Sequence, residues 1–153
     1  MRLICIGRNY CEHAKELGNA VPDEPVIFLK PESALIAHGG PIALPAFSDD
    51  VHHEIELVFA IVRRNGQAFA DRVTIGLDLT ARDVQQELKA KGLPWEKAKA
   101  FDGSAYVAGS FTAVESFPAG HRIEFMLKKN GQVVQSGHSA QMIFDVPTLI
   151  ASV

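Results

Sequence analysis

Short hydrophobic runs, separated by polar or glycine-containing segments, dominate the pattern of this chain. Apolar runs of about four to eight residues that end at turn-forming residues are typical of buried strands. The dipeptides Asn65-Gly66 and Asn130-Gly131 favour two-residue hairpin turns, because both of their residues accept a positive φ. The pattern predicts strands at residues 3–6, 26–29, 52–62, 73–79, 122–127 and 132–135.

Two helical segments are predicted between these strands. Residues 11–17 form a short helical pattern that glycine and asparagine terminate. A second helix is predicted to begin at Thr80, with Thr80 as the N-cap and Asp83 in the place of the usual glutamate of a capping box. Arg82 and Gln85 lie three residues apart on this helix and therefore share a face.

Two carboxylates, Glu54 and Glu56, lie in the predicted strand at residues 52–62. Side chains alternate along a strand, so these two project from the same face. Both faces become apolar within one residue of the acids, which suggests burial on both sides. Neighbouring buried carboxylates lose hydration and repel each other, and a hard cation such as Mg²⁺ resolves both problems. The alternative is a strand whose first half is a solvated edge, with the acids facing water.

Asp78 is the best candidate for a third acid, because it lies where a predicted strand meets a predicted helix. Three carboxylates on one cation leave positions open for water and substrate. The alternative interpretation is that Asp78 is a second helix-capping group before Thr80.

Other candidates for chemistry are a histidine–glutamate pair and a lysine. His13 and Glu16 lie three residues apart on the first predicted helix, so the carboxylate can orient the imidazole as a general base for water. An ordinary surface pair is the alternative. Lys99 follows the second helix and can stabilise an enolate, although a solvated lysine is the default. Nucleophile-elbow and phosphate-loop motifs are absent from the sequence.

Composition narrows the class of protein. The chain has 153 residues, of which 47% are hydrophobic and 22% charged, as in an ordinary globular protein with one core. Its net charge of -3 leaves no basic stripe, so we expect no nucleic-acid partner. No apolar run of the sequence reaches membrane-spanning length. Two cysteines and the lack of a secretory signal favour a cytoplasmic setting.

Several motifs occur together along the chain. They are Gly7-Arg8-Asn9-Tyr10 with His13 and Glu16, Phe28-Leu29-Lys30-Pro31 with Ser33, His53-Glu54-Ile55-Glu56-Leu57, Asp78-Leu79-Thr80-Ala81-Arg82-Asp83-Val84-Gln85, Gly92-Leu93-Pro94-Trp95, Lys99-Ala100-Phe101-Asp102 and the Asn130-Gly131 hairpin. In this order and over essentially the whole chain, they resemble the fumarylacetoacetate hydrolase family, particularly its small acylpyruvase and oxaloacetate decarboxylase branch. No single motif is decisive, and the resemblance rests on their joint occurrence.

The resemblance implies a role for each candidate residue. Mg²⁺ or Mn²⁺ would be held by Glu54, Glu56 and Asp78. The water-activating pair, on a mobile lid, would be His13 and Glu16. Contacts to the oxygens of the substrate would come from Lys99 and Gln85, with Arg8 as a further candidate from the lid.

The resemblance also implies a fold and an assembly. The fold would be α+β and mainly β, a mixed β-sheet roll with short peripheral helices, in a single domain over residues 1–153. Family members are usually homodimers. They continue for several tens of residues beyond the segment that resembles the end of this chain, through a Gly-Thr-Pro motif and closing strands that have no match here. We therefore expect a family member that is truncated at its C-terminus.

The implied activity is metal-dependent hydrolysis of a C–C bond in a 3-acylpyruvate, a 2-oxo acid, and the same site could decarboxylate oxaloacetate. A second enzymatic hypothesis is isomerisation of an unsaturated dicarboxylate, 2-hydroxyhepta-2,4-diene-1,7-dioate, in aromatic catabolism. A hypothesis of another class is a non-catalytic fragment that binds a metal but turns nothing over.

Overall fold

The structure is a computed structural model that describes residues 3–10, 21–37, 39–118 and 120–153. Strands predominate, as the expected fold class requires. They are β1 (Leu3–Gly7), β2 (Val26–Lys30), β3 (Val51–His52), β4 (Ile55–Arg64), β5 (Gln67–Asp78), β6 (Thr80–Ala81), β7 (Ala105–Val107), β8 (Thr112–Ala113), β9 (Glu124–Lys129) and β10 (Gln132–His138). The α-helices of the described residues are short: α1 (Arg82–Ala90), α2 (Glu96–Lys99) and α3 (Val146–Ala151). None of these helices has the length and apolar character that crossing a membrane requires.

The strands form four small sheets. Three of them are pairs, β1 with β2, β3 with β6, and β9 with β10. The fourth has the order β4-β5-β7, and β8 also pairs with β5. Single-turn 3₁₀ segments complete the described elements, at Glu32–Ala34, Val114–Ser116 and Ser139–Gln141.

Both predicted asparagine–glycine turns are confirmed. Asn65 and Gly66 have φ values of 51° and 82°, and they connect β4 to β5. Asn130 and Gly131 have φ values of 53° and 80°, and they connect β9 to β10. Positive φ at both central residues gives a turn whose twist matches that of the flanking strands. Each turn therefore sets the pairing of its hairpin locally.

The described chain divides into two compact units. The first comprises residues 1–4, 29–58 and 74–110, and the second comprises residues 5–28, 59–73 and 111–153. The prediction of a single domain stays a prediction.

The interior of the first unit is unusually polar. Its buried apolar side chains are mostly small and include Ala34, Leu79, Ala98 and Ala105. Several charged side chains are equally buried: Lys30, Glu54, Asp78, Arg82 and Lys99. Charged residues are rarely this buried unless they are paired, so the pattern indicates a site in this unit.

The second unit contains a well-anchored segment after β1. Asn9 is 6% exposed, and its side-chain amide donates to the Phe144 carbonyl at 3.0 Å while its side-chain oxygen accepts from the Phe144 amide at 2.8 Å. The Asn9 carbonyl also accepts from the Ile143 amide at 2.8 Å. These bonds attach Asn9, within the unit, to a stretch of chain far away in sequence.

The N-cap of the second predicted helix is Ala81, one residue later than the sequence pattern predicts. Thr80 belongs to β6, where it pairs with His52 of β3, and α1 begins at Arg82 without a side-chain cap. Asp83 accepts hydrogen bonds from the Ser48 hydroxyl at 2.6 Å and from the Asp49 amide at 3.1 Å. A strand pairing therefore overrides the local capping preference of Thr80. The predicted helix at residues 11–17 lies outside the described residues.

Gly76 of β5 provides a test of this packing. A Cβ atom at this position would lie 2.5 Å from the Tyr106 carbonyl oxygen and 2.8 Å from a Val58 methyl carbon. We expect Gly76→Ala to lower the free energy of unfolding by about 1–3 kcal/mol through overpacking, as measured by urea denaturation. The matched control is Gly7→Ala in β1, where the nearest atoms are 3.7 Å away. Equal effects of the two substitutions would contradict the packing at Gly76.

Candidate active site

Backbone hydrogen bonds bring two of the predicted acids together. The Asp78 amide at the end of β5 donates to the Glu54 carbonyl at 2.8 Å, just before β4 begins. The next residue, Leu79, donates from its amide to the Ser104 carbonyl at 2.9 Å. Glu54 therefore lies in the short gap between β3 and β4, and not inside a continuous strand as the sequence pattern predicts. Its place beside Asp78 comes from contacts between distant segments.

The carboxylates of Glu54 and Asp78 converge on one ammonium group. Lys99 Nζ donates to Glu54 Oε2 and to Asp78 Oδ2, at 2.7 Å in both cases. Lys99 is the last residue of α2 and is 5% exposed, so the solvated lysine considered above is excluded. Charge-assisted hydrogen bonds of this length in a buried setting stabilise all three ionised groups.

Arg82, the first residue of α1, links Glu54 to this helix. Its guanidinium donates to Glu54 Oε1, to Gln85 Oε1 and, at 3.2 Å, to His52 Nδ1. Arg82 and Gln85 share a helix face, as their spacing predicts. Because a guanidinium only donates, the Gln85 atom that faces it must be the carbonyl oxygen. The amide nitrogen of Gln85 is therefore directed away from Arg82.

Glu56 has a strongly perturbed acidity. Burial, followed by the negative charges of Asp78 and Glu54, raises the pKa of Glu56 from its ordinary 4.5 to about 8, while the positive charge of Lys99 opposes the shift. Three carboxylates therefore share one electrostatic environment. Groups perturbed in this way are frequent in functional sites.

Lys99 is held in its charged form. Burial disfavours the ammonium, but the charges of Asp78 and Glu54 and the hydrogen bonds to both acids raise the pKa of Lys99 above its ordinary value. At neutral pH this side chain is a hydrogen-bond donor and not a base.

The buried charged residues Lys30, Glu54, Asp78, Arg82 and Lys99, together with Glu56, are called the cluster below. Lys30 was given no role from the sequence. It ends β2, is 2% exposed, and places Nζ 2.8 Å from Asp78 Oδ1. A lysine at the end of an otherwise apolar run, Val-Ile-Phe-Leu-Lys, is the sequence signal that could have identified it. Arg82 was likewise given no role, although it shares a helix face with Gln85.

The donor set suits a hard divalent cation. Carboxylate oxygens of Glu54 and Asp78 already converge on a positive charge, and the nearby Glu56 supplies a third carboxylate. In the described part of the chain, no three Asp, Glu, His or Cys side chains form a ready-made metal cage. The Lys99 ammonium lies between two of the three acids, so a metal ion bound there would require this ammonium to move.

The predicted site residues fall into three groups. The first unit brings together Glu54, Glu56, Asp78, Gln85 and Lys99. Arg8 belongs to the second unit, with a φ of 59°, and its contact with substrate stays a prediction. His13 and Glu16 lie outside the described residues.

Comparisons with known proteins give matches over nearly the whole chain. The family model described as fumarylacetoacetate (FAA) hydrolase C-terminal matches residues 2–153. The chain is 42% identical over 158 residues to a Bos taurus protein named oxaloacetate tautomerase FAHD1, mitochondrial, covering 99% of this chain and 71% of the relative. It is 43% identical over 157 residues to the Escherichia coli oxaloacetate tautomerase YcgM, covering 98% and 72%. A Dictyostelium discoideum relative, 40% identical over 157 residues and covering 97% and 72%, is named oxaloacetate decarboxylase, mitochondrial.

Solved structures show the same fold. A putative fumarylacetoacetate isomerase/hydrolase from Oleispira antarctica matches with a TM-score of 0.87 and 41% identity, covering 99% of this chain and 71% of that one. Fumarylpyruvate hydrolase from Pseudomonas aeruginosa, crystallised in complex with Mn²⁺ and pyruvate, matches with a TM-score of 0.83 and 33% identity, covering 99% and 70%. The mainly β fold class predicted from the sequence is therefore confirmed.

The acidity of Glu56 predicts a pH dependence of stability. Its pKa is about 8 in the folded state and about 4.5 in the unfolded state, so the folded state binds more protons between these values. Its contribution to the free energy of unfolding therefore falls as pH rises through this window. We expect Glu56→Gln, in metal-free buffer, to gain stability relative to the wild type as pH increases from about 4.5 to about 8, measured by urea denaturation.

The control for this measurement is Glu96→Gln, at an exposed glutamate of α2. It should keep the pH dependence of the wild type. A Glu56→Gln variant whose stability runs parallel to the wild type over the whole range would show that Glu56 does not titrate in this way.

Proposed function

Because the chain belongs to the fumarylacetoacetate hydrolase family, we propose that it is a divalent-metal-dependent enzyme that acts on a 2-oxo acid through its enol or enolate form. The observation that carries the proposal is the pair of buried carboxylates, Glu54 and Asp78, that converge on the Lys99 ammonium. This arrangement offers oxygen ligands and a hydrogen-bond donor at a single point. The oxygen ligands would hold a cation that the oxygens of a 2-oxo acid can chelate. The hydrogen-bond donor would stabilise the negative charge that develops on enolisation.

Glu54, Glu56 and Asp78 would hold the cation, either Mg²⁺ or Mn²⁺. Support comes from the hard oxygen donors of these residues and from the Mn²⁺ in the Pseudomonas aeruginosa relative. A bound divalent cation would act as a Lewis acid toward the substrate's oxygens. The raised pKa of Glu56 means that its carboxyl must lose a proton before it can serve as a ligand.

Lys99 would stabilise the enolate. A group that stays protonated at neutral pH can donate a hydrogen bond to the oxygen on which negative charge accumulates. Gln85 would add a second hydrogen-bond donor to the substrate. Arg82 binds the carbonyl oxygen of Gln85, so the amide nitrogen is left to donate to another group. Arg8 is the further candidate for a contact with the substrate's carboxylate.

The reaction that the relatives favour is tautomerisation of oxaloacetate. In this reaction a proton leaves C3 and a proton is added to the 2-oxo oxygen, so that the ketone and the enol interconvert without a change in composition. Decarboxylation would pass through a closely related enolate, formed when the C4 carboxylate leaves as CO₂. The names of the bovine, Escherichia coli and Dictyostelium relatives support these two reactions.

Hydrolysis of a 3-acylpyruvate is the second candidate. It is favoured by the fumarylpyruvate hydrolase structure, which contains pyruvate, the product expected from such a cleavage. His13 and Glu16 would activate the water that attacks the distal carbonyl, and the C–C bond would then break to leave the pyruvate enolate. Isomerisation of an unsaturated dicarboxylate uses the same enolate chemistry.

Assembly and cellular setting belong to the same proposal. We propose a homodimer with a small-molecule partner, and neither nucleic acid nor a membrane as a partner. A cytoplasmic setting stays a prediction, since two of the relatives named above carry the word mitochondrial and the third is bacterial.

Activity with and without a divalent cation tests the leading function. We expect purified protein with Mg²⁺ to accelerate interconversion of the keto and enol forms of oxaloacetate, followed by ultraviolet absorbance, and chelation to abolish the effect. Lys99→Met should lower kcat/KM by about 10²–10³, because it removes the donor to the enolate oxygen. Lys97→Met, on an exposed lysine of the same helix, is the control and should stay within about twofold of the wild type.

Two outcomes would contradict this function. Turnover that survives chelation would remove the cation from the mechanism. Tight metal binding without turnover of oxaloacetate or acetylpyruvate would favour the non-catalytic hypothesis.

His13→Ala separates the two candidate reactions. Tautomerisation and decarboxylation need no attacking water, whereas hydrolysis of acetylpyruvate does. If His13 activates this water, its replacement should lower hydrolysis by about 10²–10⁴ and affect the oxaloacetate reactions much less. Parallel assays of pyruvate release and of oxaloacetate consumption measure the difference, and equal losses would argue against the assigned role of His13.

A further inference from the structure

We propose that Lys30 is a positioning residue for Asp78, which it holds by one carboxylate oxygen so that the other oxygen faces the cation and the substrate. The inference rests on the proposed function in one respect, namely that Asp78 is a metal ligand. The division of the Asp78 carboxylate between two different lysines supports this role.

The two oxygens of Asp78 have different partners. Oδ1 forms an ion pair with Lys30 Nζ at 2.8 Å, and among the described residues this buried oxygen accepts no hydrogen bond. Oδ2 accepts a hydrogen bond from Lys99 Nζ at 2.7 Å. Removal of the Lys30 ammonium would leave Oδ1 buried without a compensating group, and the carboxylate would be free to turn away from its present orientation.

The Lys30 ammonium lies in a cage of oxygen atoms. Besides Asp78 Oδ1, it contacts the Ser104 carbonyl and hydroxyl oxygens at 3.0 Å each, the Leu79 carbonyl at 3.4 Å, and the Lys99 carbonyl. An ammonium has three donors and no acceptor, which suits a shell made only of oxygens. Lys30 is 2% exposed, so its ammonium is shielded from solvent.

The same ammonium also fixes the backbone of Lys99, the residue that binds the other oxygen of Asp78. Lys99 ends the four-residue helix α2, and its carbonyl has no helical partner within so short an element. Lys30 supplies a donor and a positive charge at this helix end. It therefore sets the position of both the acid and the lysine that faces it.

Binding of Mn²⁺ tests this role without recourse to activity. Free Mn²⁺ is measured by electron paramagnetic resonance during titration of the purified protein. We expect Lys30→Met to weaken Mn²⁺ affinity by about 10–100-fold, the loss that is usual when a group orienting a metal ligand is removed. The matched control is Ser104→Ala, which removes another cage atom but leaves Asp78 Oδ1 with its partner. Its Mn²⁺ affinity should stay within about threefold of the wild type, since the ligands are untouched.

Asp78→Asn separates failure of this inference from failure of the proposed function. If Asp78→Asn binds Mn²⁺ as tightly as the wild type, the proposed metal site is wrong. If Asp78→Asn loses Mn²⁺ and Lys30→Met retains wild-type affinity, only the role of Lys30 is overturned. A Ser104→Ala variant as weak as Lys30→Met would also overturn it, because any damage to the cage would then have the same effect.

Chemical rescue covers the case in which Lys30→Met does not fold. Lys30→Cys is refolded after alkylation with bromoethylamine, which restores an ammonium, or with a propyl halide, which gives a neutral side chain of similar length. The wild type, treated in the same two ways, controls for alkylation of its own cysteines. Restored Mn²⁺ affinity in the aminoethylated protein alone supports the proposal. Equal affinity of both folded forms would overturn it, as would failure of only the propylated form to fold, because Lys30 would then act on folding alone.

Discussion

The pairing of buried opposite charges is the interaction on which the rest of the first unit depends. Glu54 and Asp78 are less than 10% exposed, as are Lys30, Arg82 and Lys99. Each of these ions would be costly to bury alone, and each is tolerable because its partners lie within hydrogen-bond distance. The apolar residues that surround them are mostly small, so this unit does not derive its order from a large hydrophobic core. Loss of one partner therefore affects several others.

The three cations of the cluster, Lys30, Arg82 and Lys99, have different contacts and different roles. Arg82 orients Glu54 and Gln85 from the first turn of α1, and its planar fork suits two acceptors at once. Lys30 contacts three backbone carbonyls besides Asp78, which makes it a fixed structural charge. Lys99 Nζ donates to the carboxylates of Glu54 and Asp78, and under the proposed function a divalent cation and an enolate would be bound beside it.

Local features of the fold were predictable from short stretches of sequence. Asn65-Gly66 and Asn130-Gly131 form their turns because positive φ is a property of the residues themselves. Thr80 shows the limit of such reasoning. Its residue type favours a helix cap, yet it pairs with His52 of β3, a strand much earlier in the chain. Nothing near Thr80 in sequence carries information about that pairing.

The sequence by itself determined the inventory of the site: two acids one residue apart, a third acid at a strand end, and Gln85 and Lys99 downstream, together with the family to which these motifs belong. Only the tertiary structure decided how these groups share charge. It placed Glu54 before β4, bound by its carbonyl to Asp78, and it brought Lys30 from a distant strand to the same carboxylate. The physical reason is that burial and pairing depend on distances between segments, and periodicity along one segment cannot encode them.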